Sequence, residues 1–142
     1  MNELEHLHLT VNAKINPSGS HFSKEKAQAF IDELMEVTDM KPLGPLNWSD
    51  AVDLDFPGQS FVQMITTSHT SLHYFSSTNE IYFDLYSCKF FEIKRVIELL
   101  HRTFGIVEWH GSLYNRANNK PPKIEMIGSQ KECFILDQKV IR

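Results

Sequence analysis

No run of five or six like charges occurs anywhere in this chain, so it lacks the basic arm of a nucleic-acid binder and the acidic tail of an electrostatic adaptor. Its 14 Lys and Arg and 18 Asp and Glu leave a net charge of −4, spread along the sequence. Nucleic acid is therefore not an expected partner. Long apolar runs are missing too. Charges interrupt every hydrophobic stretch within a few residues, which argues against a membrane-spanning helix, and the start MNELEHLHL has neither the basic opening nor the apolar core of a secretory signal. These features predict a cytoplasmic chain. Cysteine is scarce: Cys88 and Cys133 are the only two, and both are expected as free thiols because a core of this size needs no bridge. Internal repeats and low-complexity segments are absent as well. What is present, 142 residues of which 42% are hydrophobic, suits one globular domain over residues 1–142.

Periodicity outlines the elements. From Leu4 to Ala13 the apolar Leu7, Leu9 and Val11 alternate with His6, His8 and Thr10, the two-residue period of a half-buried strand, with the histidines as polar residues on its outer face. After the break at Asn16-Pro17-Ser18-Gly19, Ser23 is placed to cap a helix whose inner side is Ala27, Phe30, Ile31, Leu34 and Met35. The Pro- and Gly-rich stretch from Met40 to Gln59 predicts a long loop with one short strand around Val52–Asp55. Strands are expected at Ser60–Thr67, Thr70–Phe75 and Glu80–Tyr86, the last two joined by a turn at Ser76-Ser77-Thr78-Asn79. A second helix from Phe90 to Phe104 ends at Gly105, and strands follow at Ile106–Leu113, Ile124–Ile127 and Cys133–Leu136. The order β-α-β-β-β-α-β predicts an α/β (α+β) two-layer sandwich, a mainly antiparallel sheet with both helices on one face.

The reactive residues crowd into ITTSHTSLHYFSSTNEIYFDLYSC, residues 65–88. His69 and His73 form an H-x-x-x-H pair, but on a strand rising about 3.3 Å per residue their anchors stand about 13 Å apart, so no metal is expected there. A Ser-His-Asp hydrolase built from Ser68, His73 and Asp84 lacks the G-x-S-x-G elbow that would expose its serine. Read singly, Ser68 is a turn serine, His73 a satisfied histidine and Cys88 a small buried hydrophobe.

Together they read differently. Ser60, Ser68, His73 and Cys88, in the frame T-S-H-x-S-x-H followed by D-L-Y-S-C, resemble the prokaryotic S-adenosylmethionine decarboxylase proenzymes, most strongly over residues 59–104. That resemblance implies self-cleavage between Thr67 and Ser68, giving chains 1–67 and 68–142. Ser68 would become the pyruvoyl group that forms a Schiff base with substrate, His73 the processing base, Ser60 a processing hydrogen-bond donor and Cys88 the proton donor in turnover. Ser68 and His73 are an odd number apart and would face opposite sides of a regular strand, so a bulge or sharp turn is expected near the scissile bond.

The resemblance further implies a homodimer, no metal, and a place in polyamine (spermidine) biosynthesis. The chain departs from the family in three places. Thr67 replaces the usual glutamate before the cleavage serine, Tyr74-Phe75-Ser76-Ser77 stands where T-W-P-E is typical, and Lys89 replaces a glycine after the cysteine. Tyr74, Phe75 and Trp48 remain as candidate stacking partners for adenine, and Asp53, Asp55 and Glu80 as partners for a distal cation. The substrate reading is S-adenosylmethionine, with a basic amino acid such as arginine or ornithine, or a non-catalytic ligand-binding or regulatory relative, as alternatives.

Overall fold

A computed structural model describes residues 6–17, 22–52, 55–117, 123–129 and 132–141. In chain order the elements are β1 (Leu7–Ile15), α1 (Lys24–Thr38), β2 (Asn47–Ala51), β3 (Gly58–Ile65), β4 (Ser68–Phe75), β5 (Glu80–Ser87), α2 (Ile93–Phe104), β6 (Ile106–Asn115), β7 (Lys123–Ser129) and β8 (Glu132–Ile141). The strands form one antiparallel sheet in the order β2-β3-β4-β5-β1-β6-β7-β8. The two-layer sandwich read from the sequence is the observed fold.

One face of the sheet is buried because alternate strand residues are apolar. Leu7, Leu9, Val11, Ala13 and Ile15 of β1, Ile81, Phe83 and Leu85 of β5, and Phe61, Leu72, Trp109 and Leu113 of the flanking strands join one core with Phe30, Ile31, Leu34, Val96, Ile97 and Leu100 of the helices. Burying side chains of this size stabilises by about 1.5–3 kcal/mol each, before chain entropy is counted. The Ser23 Oγ accepts a hydrogen bond from the Lys26 N–H at 3.1 Å and so caps α1 as expected. Gly105 ends α2 at φ +66, a conformation that costs glycine nothing.

The differences from expectation are local. The short strand lies at Asn47–Ala51, ahead of the Val52–Asp55 expectation, and Val52 beyond it is 84% exposed. The reason is that β2 is an edge strand held by its pairing to β3, with no apolar alternation to announce it. Helix α2 begins at Ile93, although Phe91 just before it is buried in the core. Asp53 and the side chain of Cys133 lie outside the described residues; Cys88 is a free thiol. Among the described residues, no helix is long and apolar enough to cross a membrane.

Candidate active site

The hairpin between β3 and β4 sets the geometry. Ile65 pairs with Ser68, leaving Thr66 and Thr67 as a two-residue turn. Such turns demand a left-handed residue, a position that normally falls to Asn or Gly. Here Thr67 takes it, at φ +52. A β-branched side chain at positive φ is strained by roughly 1–3 kcal/mol. The Thr67 hydroxyl lies 2.7 Å from the Thr66 carbonyl and shares its one proton between that oxygen and the Cys88 sulfur.

Ser68 opens β4 with its side chain on the buried face, 5% exposed. Antiparallel pairing of β4 with β5 brings Cys88, which directly follows β5, alongside it. The Cys88 N–H donates to Ser68 Oγ at 3.0 Å, and Cys88 Sγ lies 2.9 Å from Thr67 Oγ1. Hydrogen bonds from the Thr67 side chain first, then from Ser68, hold the Cys88 thiol below its ordinary pKa, helped by its own backbone N–H and the Lys89 charge, while partial burial opposes them.

These residues line a cleft of about 380 Å³ with Ile65, Thr66, Asp39, Met40, Lys41 and Lys89. The loop after α1 forms its other wall, tied down by the Pro42–Ile65 bridge and by the Leu43 N–H donating to the Met64 carbonyl at 2.8 Å. Lys89 Nζ donates to the Asp39 backbone carbonyl and lies 3.5 Å from the Asp39 carboxylate. Nothing in the sequence links Asp39 or Lys41 to residue 68; only the folded chain does.

Ser60 and His73 form a separate pair. They face each other across β3 and β4, with Ser60 Oγ 2.7 Å from His73 Nδ1. The register of β4 runs unbroken against both neighbours, so the sharp turn that parity required falls before Ser68, not between Ser68 and His73. His73 therefore sits on the opposite face of the sheet, about 16 Å along the strand from Ser68. Within one chain this histidine cannot reach the Ser68 hydroxyl.

The stacking candidates divide in the same way. Tyr74 and Trp48 pack on Phe22 with ring centroids 5.9 and 5.5 Å away, at the edge of the core and at the far end of β4 from the cleft. Phe75 packs edge-on against Tyr82 at 5.5 Å. Both line a second, open cavity of about 550 Å³ with His73, Asp55, Phe56, Ser77, Thr78 and Glu80, so two of the distal-cation candidates do share a site with His73. The hydrolase grouping of Ser68, His73 and Asp84 does not assemble. Asp84 instead meets His8, Nε2 to Oδ2 at 2.9 Å, and Ser71, Oγ to Oδ1 at 2.6 Å. Burial works against ionisation of Asp84, but these bonds and the neighbouring His8 and His69 outweigh it and keep its pKa low.

A protein-family model described as S-adenosylmethionine decarboxylase matches residues 7–117, from the start of β1 to just past β6. No curated protein matches the chain.

Proposed function

The chain belongs to the S-adenosylmethionine decarboxylase family, and on that footing we propose that it is a pyruvoyl-dependent decarboxylase that makes its prosthetic group from Ser68. The observation that carries this reading is the Ser68 environment: a buried hydroxyl directly after a strained residue, with its oxygen already accepting the Cys88 N–H. That bond occupies one lone pair of the oxygen; the hydroxyl proton, shared with the Cys88 sulfur, still has to go to a base.

Attack of Ser68 Oγ on the Thr67 carbonyl carbon forms an ester as the C–N bond breaks, and the proton ends on the freed Ser68 nitrogen. The distorted Thr67 backbone relaxes as its peptide bond is cut. Removal of the Ser68 α-proton then expels the Thr67 carboxylate, and water hydrolyses the remaining enamine with loss of ammonia. The resulting pyruvoyl ketone supplies an electron sink for decarboxylation of an amino acid. Cys88, which lines the same cleft beside Ser68, would supply the proton to the substrate α-carbon. Lys89 and Lys41 supply cations suited to a carboxylate, and the cleft volume falls in the range of small-molecule sites.

The base for processing has to come from elsewhere than the same chain's His73. We place it in a homodimer, in which the Ser60–His73 pair of one copy serves the Ser68 cleft of the other. The uncovered sheet face supports assembly: Val62, Met64, Tyr82, Tyr114 and Ile127 lie there, each 39 to 53% exposed. A second reading is favoured by one contact. The Lys89 to Asp39 link crosses the cleft and suits a chain that keeps the fold as a ligand-binding or regulatory subunit without turnover.

Release of labelled carbon dioxide from carboxyl-labelled S-adenosylmethionine, arginine and ornithine decides between these. S-adenosylmethionine is expected to be turned over, with Ser68→Ala inactive. Turnover of arginine or ornithine alone would keep the mechanism and change the substrate. No turnover by processed protein would mean a substrate outside these three, whereas a chain that stays uncleaved and turns over none of them would favour the subunit reading.

A further inference from the structure

His8, His69 and Asp84 are scattered in the sequence and meet only because β1 and β4 flank β5. His8 and His69 both pair with Tyr86, from opposite sides, and Asp84 pairs with Thr10 and Ser71. One ring nitrogen from each of His8 and His69 and an Asp84 carboxylate oxygen all lie within 4.8 Å of one another on the sheet face opposite the helices. Asp84 Oδ2 is 2.9 Å from His8 Nε2 and 4.0 Å from His69 Nε2.

A simple His–Asp hydrogen bond accounts for His8 and Asp84. It does not account for a second imidazole aimed at the same oxygen. The other carboxylate oxygen, Oδ1, accepts from both the Ser71 N–H at 3.1 Å and the Ser71 hydroxyl at 2.6 Å, which turns Oδ2 toward the two rings. This is the outer support that metal-bound carboxylates carry. Tyr86 forms a wall, 6.0 Å from the His8 ring and 5.6 Å from that of His69.

We propose that His8, His69 and Asp84 form a three-ligand site for a divalent transition-metal ion of the Zn²⁺ class. Two imidazole nitrogens and one carboxylate oxygen suit Zn²⁺, Co²⁺ or Ni²⁺ over Mg²⁺ or Ca²⁺, which take mostly oxygen. With metal–ligand distances of about 2.0–2.2 Å, the ion replaces the His8–Asp84 hydrogen bond, and small ring movements close the gap to His69. All three residues are partly exposed in the single chain, which gives the ion an entry path before the proposed dimer closes over this face. His69 directly follows Ser68, so ligation would also anchor the start of β4. The site needs neither cleavage nor turnover, so it stands apart from the proposed decarboxylase reading.

Titration of chelator-treated full-length protein with Zn²⁺, followed by calorimetry, tests this. One ion per chain is expected, at micromolar affinity or tighter. Ser71→Ala should weaken binding roughly 10- to 100-fold, and His69→Ala and Asp84→Asn should weaken it more. His110→Ala, elsewhere on the same face, should not change it. If a ligand variant fails to fold, imidazole resonances in the parent protein give the answer: those of His8 and His69 should shift with Zn²⁺ and that of His110 should not. Affinity no better than millimolar, an adventitious ion only, would overturn the assignment. So would binding that survives loss of His69 and Asp84, or zinc shifts confined to other histidines.

Discussion

Thr67 bears the strain and Cys88 the altered acidity, and both point at the bond before Ser68. If strain at Thr67 assists the acyl shift, Thr67→Gly should relax the turn and slow cleavage by about fivefold to 150-fold, the rate equivalent of roughly 1–3 kcal/mol, while raising thermal stability. Cleavage at the parent rate, followed by gel or mass, would remove strain from the account. Cys88 gives a pH prediction. Groups that favour the thiolate lower its pKa, so the proton-donating thiol exists below that pH and is lost above it. In the uncleaved chain, alkylation of Cys88 should therefore rise across a window lying below the ordinary cysteine range. Thr67→Val, which removes the leading hydrogen bond, should move that curve to higher pH. Ser60, Ser68, His73 and Cys88 stood out in the sequence through a family resemblance. Their division into two pairs did not, because it depends on which face of β4 each side chain takes and on a turn that begins before Ser68. The metal candidates were hidden for a related reason. His69 looked like half of an H-x-x-x-H pair along one strand, whereas its real neighbours, His8 and Asp84, come from other strands.

Elements with a buried face announced themselves. The alternation of Leu7, Leu9 and Val11 and the helical spacing of Phe30, Ile31 and Leu34 were both readable because burial is periodic. The edge strand β2 was misplaced because pairing, not burial, holds it, and its residues are mostly exposed. Glycine positions inside strands were also silent. Gly111 sits in β6 where an added Cβ would fall 2.1 Å from the Thr10 carbonyl oxygen of β1, an atom fixed in the middle of the sheet. Gly111→Ala is expected to destabilise by about 1–3 kcal/mol, seen as a lower denaturant midpoint with unchanged slope. A midpoint equal to the parent's would mean that the two strands part more easily than their register suggests.

At the scale of the whole molecule, the two helices cover one face of the sheet, and among the described residues the other face exposes Val62, Met64, Tyr82, Tyr114 and Ile127. The dimer proposed here makes a specific demand on mixed variants. Ser68→Ala cannot be cleaved but keeps Ser60 and His73; His73→Ala keeps Ser68 but lacks the base. Alone, neither should process. Mixed, they should restore cleavage of the His73→Ala chain alone, with light scattering reporting a dimer. A monomer at micromolar concentration, or no complementation, would return the search for the base to groups within one chain.

The central claim is that Ser68 becomes a pyruvoyl group, and intact mass of the purified protein after prolonged incubation tests it most directly. The account predicts two species: residues 1–67 ending in a free carboxyl, and a second chain starting at position 68 that lacks a free amino terminus and gains mass on borohydride reduction. A single uncleaved 16.5 kDa chain under every condition, with Ser68 unchanged, would contradict it.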